Sequence, residues 1–267
     1  MPTATVLMPT HDHVEPLRYS IASVQSQSLR DFELLVVGDG ASPATCAVVA
    51  ELQRRDERIR FFNLPKGPRK GEINRHEALR HASGRFVAYI GDDDLWMPNH
   101  LETLDALLVD ADFAHTLHVG VDESSRLFVL AADLENHDFR RRVVTQSFNR
   151  FDFTFAGHTL AAYRRLPYGW HTTPPEFPWS DHYMWRQFLA EPWCRARSAM
   201  IPTGICTQTH RRPLLSDRER AEDLALWCKA MAAADFREKL WRQVAESFAR
   251  DLIRLETESA MAAAAAP

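Results

Sequence analysis

Three observations predict an α/β fold built on a largely parallel sheet with helices on both faces. Apolar runs of strand length alternate with helix-spaced segments through the N-terminal part of the chain, the pattern of successive β-α units. Three of these runs end in short polar turns, Thr10-His11-Asp12, Asp39-Gly40-Ala41-Ser42 and Asp92-Asp93-Asp94. The 267 residues, 45% hydrophobic and 25% charged, are enough to bury one sizeable core. Ligands of open α/β sheets gather beyond the carboxyl ends of the strands, so the three polar turns should border one crevice.

The first strand is expected over 4–8, ended by Pro9-Thr10-His11-Asp12. Val14, Leu17, Ile21 and Val24 recur at spacings of three and four and predict a helix, with Asp12 and Glu15 as an approximate capping box. A second strand over 32–37, a helix over 44–55 and a third strand over 59–64 follow. Then come a helix over 73–81, a fourth strand over 86–90 and a helix over 99–109. Beyond that the pattern changes. Segments 111–121 and 126–131 read as a hairpin joined through Asp122-Glu123-Ser124-Ser125. Segment 148–179, rich in Pro, Gly and aromatics, reads largely as loop. A short helix over 181–189 precedes a strand-like pair over 199–201 and 205–209. From Asp217 onward the chain reads as helix, with Phe236, Leu240, Val244, Phe248, Leu252 and Leu255 as one apolar stripe. The Ala-rich end after Ser259 reads as frayed. The expected organisation is a body over 1–215, divided near 110, and a helical extension over 216–267.

Composition narrows the class. A net charge of -4 argues against a nucleic-acid binder driven by bulk electrostatics. No apolar run approaches the roughly 20 residues that span a bilayer, and the polar N-terminus does not read as a signal peptide. Cys46, Cys194, Cys206 and Cys228 form no CxxC pair and read as reduced thiols. A cytoplasmic protein is expected.

The sharpest chemical signal is Asp92-Asp93-Asp94 at the end of the fourth strand. Carboxylates bunched this closely repel one another and call for a cation. Hard oxygen ligands at a strand end suit Mg²⁺ or Mn²⁺ holding a phosphate. The histidine pairs His11/His13 and His115/His118 have ligand spacing, but no cysteine or His-Glu set completes a tetrahedral zinc shell.

Four segments in order resemble the inverting family 2 glycosyltransferases of the GT-A fold. They are Thr5-Val6-Leu7-Met8-Pro9-Thr10, the helix segment Ile21-Ala22-Ser23-Val24-Gln25-Ser26-Gln27-Ser28, Asp31 through Ser42, and Ala82-Ser83-Gly84 leading into the acidic turn. Beyond residue 101 the likeness thins to islands at 180–186 and 209–216. The resemblance implies a GT-A, Rossmann-like mixed sheet flanked by helices, with a nucleotide-sugar half over 1–110 and an acceptor half over 111–215. It implies nucleotide contacts from Pro9, Thr10, His11, Asp39, Lys70 and Asp92. An ionised Asp39 only accepts hydrogen bonds and so suits the N3–H of uracil or thymine. It implies a Mn²⁺ or Mg²⁺ site at Asp93 and Asp94, completed by His210, and a diphosphate contact from the Arg69-Lys70 pair or the 209–216 arginines. Asp181, in Ser180-Asp181-His182-Tyr183-Met184-Trp185-Arg186, matches the general base that takes the acceptor proton. The sequence departs from the family pattern at Gly38 and Gly91, where acids are usual.

Trp170, Trp179 and Trp185 read either as sugar-stacking platforms or as packing anchors. The implied donor is a sugar nucleotide, UDP-linked by preference, and the acceptor is a glycan, a lipid-linked, protein or small-molecule hydroxyl. The C-terminal stripe is expected to pack on the body or to pair two copies as a homodimer rather than to lie on a membrane, because its polar faces mix Arg and Lys with Glu and Asp. Two rival readings stand beside this one. A catalytically inactive nucleotide-sugar binder or scaffold is favoured by Gly38 and Gly91. A sugar nucleotidyltransferase lacks its usual glycine-rich, basic phosphate loop after the first strand.

Overall fold

A computed structural model describes residues 1–207, 212 and 214–264, the side chains of 258–264 excepted. The N-terminal part runs β1 (Ala4–Thr10), α1 (Pro16–Gln25), β2 (Phe32–Asp39), α2 (Pro43–Arg55), β3 (Ile59–Leu64), α3 (Glu72–Leu79), β4 (Phe86–Tyr89), β5 (Leu95–Trp96) and α4 (His100–Leu107). The chain continues through β6 (Phe113–Val121), β7 (Leu127–Leu130), α5 (His137–Thr145), a 3₁₀ turn (Phe153–Phe155), β8 (Ala156–Thr159) and α6 (Leu160–Arg165). It ends with α7 (Ser180–Leu189), β9 (Ala196–Pro202), β10 (Gly204–Ile205), α8 (Asp217–Met231) and α9 (Phe236–Ala264).

Strands β3, β2, β1 and β4 lie side by side and parallel, with Ala4 opposite both Phe32 and Phe86. Strands β1, β2 and β4 are buried on both faces, which is why they read as apolar runs instead of alternating ones, whereas the edge strand β3 is only partly buried beyond Ile59. Leu7, Leu35, Val37, Val87 and Tyr89 face a core completed by α3, α6 and α7. Val6, Met8, Leu34, Val36, Phe86 and Ala88 face a second core under α1, α2 and α4. Gly84 lets the chain enter β4 against β1. A Cβ there would lie 2.4 Å from the Thr5 nitrogen and 2.5 Å from the Ala4 carbonyl carbon.

The second half differs from its sequence reading. Segment 148–179 is not all loop, because β8 enters the sheet antiparallel between β4 and β6. Its sequence, Ala-Gly-His-Thr, has no hydrophobic alternation to betray it. Gly157 is required where a Cβ would meet Leu104 Cδ1 and the Val87 carbonyl at 3.0 Å. Helix α5 also lies in a segment for which no element is expected from the sequence. The hairpin of β6 and β7 forms as expected, and β9 runs parallel to β6. The short β10 pairs with β5, so the strand expected over 205–209 ends at Ile205, and 208–209 lie outside the described residues. The Asp12–Glu15 capping box does not form. Glu15 sits at the N-cap of α1 without a side-chain cap, and its N–H donates to Asp217 Oδ2 of α8 at 2.9 Å. Pro16 at the first helical position already presets the turn.

Ser216 and Glu219 do form a capping box at the start of α8. In α9 the apolar stripe divides. Leu240 and Val244 are buried in a third core with Leu117, Val119, Val129 and Ile205, and Phe236 and Phe248 pack against it. Leu252 and Leu255 are 58% and 53% exposed.

Gly84→Ala should destabilise the protein by more than about 2 kcal/mol, because the clash is with β-strand backbone that cannot rotate away. Urea unfolding of the variant should show the lowered midpoint, and an unchanged midpoint would mean that the entry to β4 can shift.

Candidate functional site

The carboxyl ends of β1, β2 and β4 open into two adjoining hollows, one of about 480 Å³ and one of about 350 Å³. His11, His13, Lys70, Arg75 and Asp92 border both.

The smaller hollow is bounded by Pro9, Thr10 and His11 after β1, by Asp39 at the end of β2, and by Lys66 and Lys70. Asp39 is wrapped by the loop that follows β3. Its Oδ1 accepts the Gly67 N–H at 2.6 Å and the Asn74 amide at 2.8 Å, and its Oδ2 pairs with the Lys66 ammonium. Gly71, at φ 68°, makes that wrap possible, since a Cβ would fall 2.3 Å from the Asp39 carboxyl carbon. The His11 Nδ1–H donates to the Asp39 carbonyl at 2.9 Å and fixes one wall. Thr10 Oγ1 is buried without a hydrogen-bond partner.

The larger hollow holds the acidic turn. Asp94 is turned inward. Its Oδ1 accepts the Thr207 N–H at 2.8 Å, and its Oδ2 accepts the Thr154 hydroxyl. Burial, and then the charge of Asp93, push the Asp94 carboxyl well above the usual carboxylate range. Asp93 is pushed up to about 6 by burial and by the charge of Asp92. Asp92 Oδ1 lies 3.0 Å from His13 Nδ1, and that hydrogen bond lifts the imidazole to about 9 against the opposing effect of burial.

Across the cleft stand Trp179, Ser180 and Asp181 at the start of α7. The Asn149 amide holds Asp181, reaching its two oxygens at 3.4 and 3.2 Å. Trp179 is 38% exposed at the lip of the cleft. Trp170 and Trp185 are packing anchors instead, buried edge-on against each other and around Tyr89.

Two residues of this cleft escaped the sequence reading. Arg75 of α3 is buried, donates to the Lys70 carbonyl at 3.1 Å, and lies over the rings of Trp170 and Phe153 at 4.8 and 5.2 Å. Its Nε has no partner. Within a charged helical segment it looked like part of a solvated face. Asp152 caps the 3₁₀ turn by accepting the Thr154 N–H at 3.2 Å. Burial, followed by the charge of Asp181, raises its carboxyl to about 7. No local pattern marks it.

The structure thus brings Pro9, Thr10, His11, Asp39, Lys70, Asp92, Asp93, Asp94 and Asp181 to one crevice. His210 and Arg211 lie outside the described residues. Arg212 is buried and committed to the Thr207 carbonyl and to Asp223 at 2.7 Å. Two groups of candidate cation donors lie here, His13 with Asp92 and Asp93, and Asp94 with Asp152 and Cys206. Carboxylates short of compensating charge suit a divalent cation. In the second group Asp94 already accepts two hydrogen bonds, which leaves Asp93 as the acid of the turn most available to the cleft.

A parallel β3-β2-β1-β4 half joined by an antiparallel strand to a second half, with an acidic turn after β4, is the GT-A architecture. The chain belongs to glycosyl transferase family 2, whose model matches residues 5–168. It is 37% identical over 107 residues to the GalNAc(5)-diNAcBac-PP-undecaprenol beta-1,3-glucosyltransferase of Campylobacter jejuni, covering 39% of this chain and 34% of that relative. It is also 37% identical over 99 residues to the UDP-Glc:alpha-D-GlcNAc-diphosphoundecaprenol beta-1,3-glucosyltransferase WfgD of Escherichia coli, covering 37% of this chain and 38% of the relative. The matched segment therefore spans about a third of the length of these curated relatives. Among solved structures, S. aureus TarS 1–349 in complex with UDP-GlcNAc has a TM-score of 0.57 at 18% identity, covering 92% of this chain and 71% of that one. A mannosyltransferase from Pyrobaculum calidifontis in complex with GDP-Man and Mn²⁺ has a TM-score of 0.52 at 14% identity, covering 98% and 80%. At such identities the likeness establishes the fold.

The raised Asp152 carboxyl has a stability consequence with a definite sign. The unfolded group ionises near its ordinary value, while the folded one holds its proton to about pH 7. Stability is therefore lost between roughly pH 4 and pH 7, and the loss is complete above that range. Asp152→Asn should be more stable than the parent by about 1–4 kcal/mol at about pH 8 and indistinguishable from it at about pH 4. Urea unfolding at the two pH values measures this; equal stabilities at the higher pH would show that Asp152 is well solvated.

Proposed function

We propose that this protein is a metal-dependent inverting glycosyltransferase that moves a sugar from a UDP-linked donor to an acceptor hydroxyl. The observation that carries the reading is that Asp93 and Asp181 line one hollow, and that Arg75 and Lys70 border both it and the hollow bounded by Asp39. The nucleoside occupies the smaller hollow, where Asp39 and Thr10 are the groups able to read the base edge. Binding there requires the Lys66 ammonium, 48% exposed, to yield its place on Asp39. Arg75 and Lys70 meet the diphosphate with charge-assisted hydrogen bonds. Asp93 holds the cation, Mn²⁺ or Mg²⁺, with Asp92 beside it. Bound there, the cation supplies Lewis-acid neutralisation of the leaving diphosphate.

Asp181 accepts the proton of the acceptor hydroxyl as its oxygen bonds the anomeric carbon and the sugar–phosphate bond breaks on the opposite face. The Asn149 amide and the start of α7 orient the base. The acceptor enters past Trp179, whose exposed ring is available to stack on a sugar. Two relatives are named for diphosphoundecaprenol-linked acceptors, which supports a lipid-linked glycan as the acceptor class. The same proposal takes 1–215 as the catalytic unit and 216–267 as an extension, with a cytoplasmic location and pairing of copies through α9. Among the described residues no helix is long and apolar enough to cross a membrane.

A catalytically silent nucleotide-sugar binder is the second reading. It is favoured by the full occupation of Asp39 and by glycine at 38 and 91. Slow metal-dependent hydrolysis of a UDP-sugar separates the two, since a binder gives none. A nucleotidyltransferase gains no support from the site, because the turn after β1 has no glycine-rich phosphate cradle.

Asp181→Asn should reduce transfer by at least about 10²-fold while leaving UDP affinity within a few fold of the parent. Asp93→Ala should lose both transfer and the metal-dependent part of UDP binding. Calorimetry with and without Mn²⁺, beside a turnover assay, reads both variants. Near-normal turnover in Asp181→Asn would rule out this base.

A further inference from the structure

We infer that His13 is a ligand of the divalent cation in this cleft, forming with Asp92 and Asp93 a mixed imidazole–carboxylate centre that prefers Mn²⁺ to Mg²⁺. This rests on the glycosyl-transfer reading above and specifies its metal. His13 stands on the turn between β1 and α1, 79 residues before Asp92 in the chain, yet its Nδ1 reaches Asp92 Oδ1 at 3.0 Å. The ligand atoms of His13, Asp92 and Asp93 all lie within 4.8 Å of one another. One cation can bind all three if His13 gives up the proton it shares with Asp92, which metal binding releases to solvent. All three line the larger hollow, and His13 and Asp92 also border the nucleoside hollow.

The acidic turn cannot supply a further ligand from its own first position. A Cβ on Gly91 would lie 2.8 Å from Asp94 Oδ2 and 3.3 Å from Asp93 Oδ1, so a side chain there would crowd the carboxylates it was meant to assist. Asp94 is held inward by Thr154 and Thr207. The third ligand must come from another element, and the β1 turn brings an imidazole to that place. Mn²⁺ prefers oxygen ligands too, but it accepts an imidazole nitrogen among them more readily than Mg²⁺, which demands near-ideal octahedral oxygen geometry and keeps its waters. Three protein ligands leave positions open for diphosphate oxygens and water.

The test is Mn²⁺ binding to the full chain, read by calorimetry and by pulsed EPR. The parent protein with Mn²⁺ should show the nitrogen modulation of a bound imidazole. His13→Gln should lose that modulation and bind Mn²⁺ about 10-fold or more weakly, with Mg²⁺ affinity changed by less than about 3-fold. His13→Glu should bind Mn²⁺ without nitrogen modulation and bind Mg²⁺ at least as tightly as the parent, a rescue that a merely structural histidine would not give. His210→Gln should keep the modulation. Modulation that survives in His13→Gln and vanishes in His210→Gln would overturn the assignment. So would Mn²⁺ binding that needs Asp93 but shows no nitrogen coupling, which leaves the transferase reading intact. Mn²⁺ affinity unchanged in Asp93→Ala would instead remove the metal-dependent reading on which the inference stands.

Discussion

Negative charge concentrated at the end of β4 is the constraint to which the rest of the molecule is fitted. Asp92, Asp93 and Asp94 follow one another there, and Asp152 and Asp181 line the same cleft. In a partly buried site, charges this close interact more strongly than in water. The structure disperses the charge unevenly. Asp94 is pushed towards its protonated form by burial and by Asp93 and is held by Thr154 and Thr207, and Asp92 is matched by His13. Asp152, too, holds its proton into the neutral range. Asp93 is the acid of the turn left facing the cleft with the least local compensation. A site arranged in this way is complementary to a divalent cation before any ligand arrives.

The donors that hold the acidic turn come from the other half of the chain. Thr154 belongs to the 3₁₀ turn that leads into β8, and it also accepts the Gly91 N–H at 3.1 Å. Thr207 follows β10, whose pairing with β5 places Ile205 opposite Leu95, directly beyond the acidic turn. The Trp96 indole donates to the Thr154 carbonyl at 2.9 Å and closes the circuit. The acids at the end of β4 are therefore held in place by donors that lie 60 and 113 residues further along the chain. The antiparallel insertion of β8 beside β4 is the topological step that makes this happen.

Much of this was legible in the sequence because of where strands end. Strands β1, β2 and β4 declared themselves as apolar runs, being buried on both faces. Their polar ends gave Thr10, Asp39 and Asp93 as neighbours without any distance being known. Asp181 was legible through a short island of family resemblance. What stayed hidden has physical reasons. Strand β8 is four residues of small and polar side chains whose burial comes from Leu104 and Val87, not from its own pattern. Arg75 is an arginine in a helix rich in charge, where periodicity alone predicts solvent. His13 and Asp92 meet across 79 residues, and no spacing rule reaches that far. The stripe on α9 was read as continuous, but the body of the protein reaches only its first half.

Arg75 is the element that makes one site out of two hollows. It borders both, and the carboxylates of Glu72, Asp181 and Asp39 oppose the burial that weakens its hold on its proton. These acids belong to its own helix, to the start of α7 and to the end of β2. The Trp170 and Phe153 rings beside it supply π faces but no hydrogen bonds, and Nε is left without a partner. A buried guanidinium with an unmatched donor is costly unless a ligand takes up the bond. An anionic group placed between the nucleoside hollow and the acidic turn would do so and would neutralise the cation. The diphosphate of a sugar nucleotide has that charge and spans that gap. Its negative oxygens would also separate the Asp93 side of the cleft from the Asp39 side. The left-handed turn at Gly71, which glycine adopts without steric cost, lets the chain leading into α3 approach Asp39. It draws the start of α3 close enough to β2 for Arg75 to reach both walls.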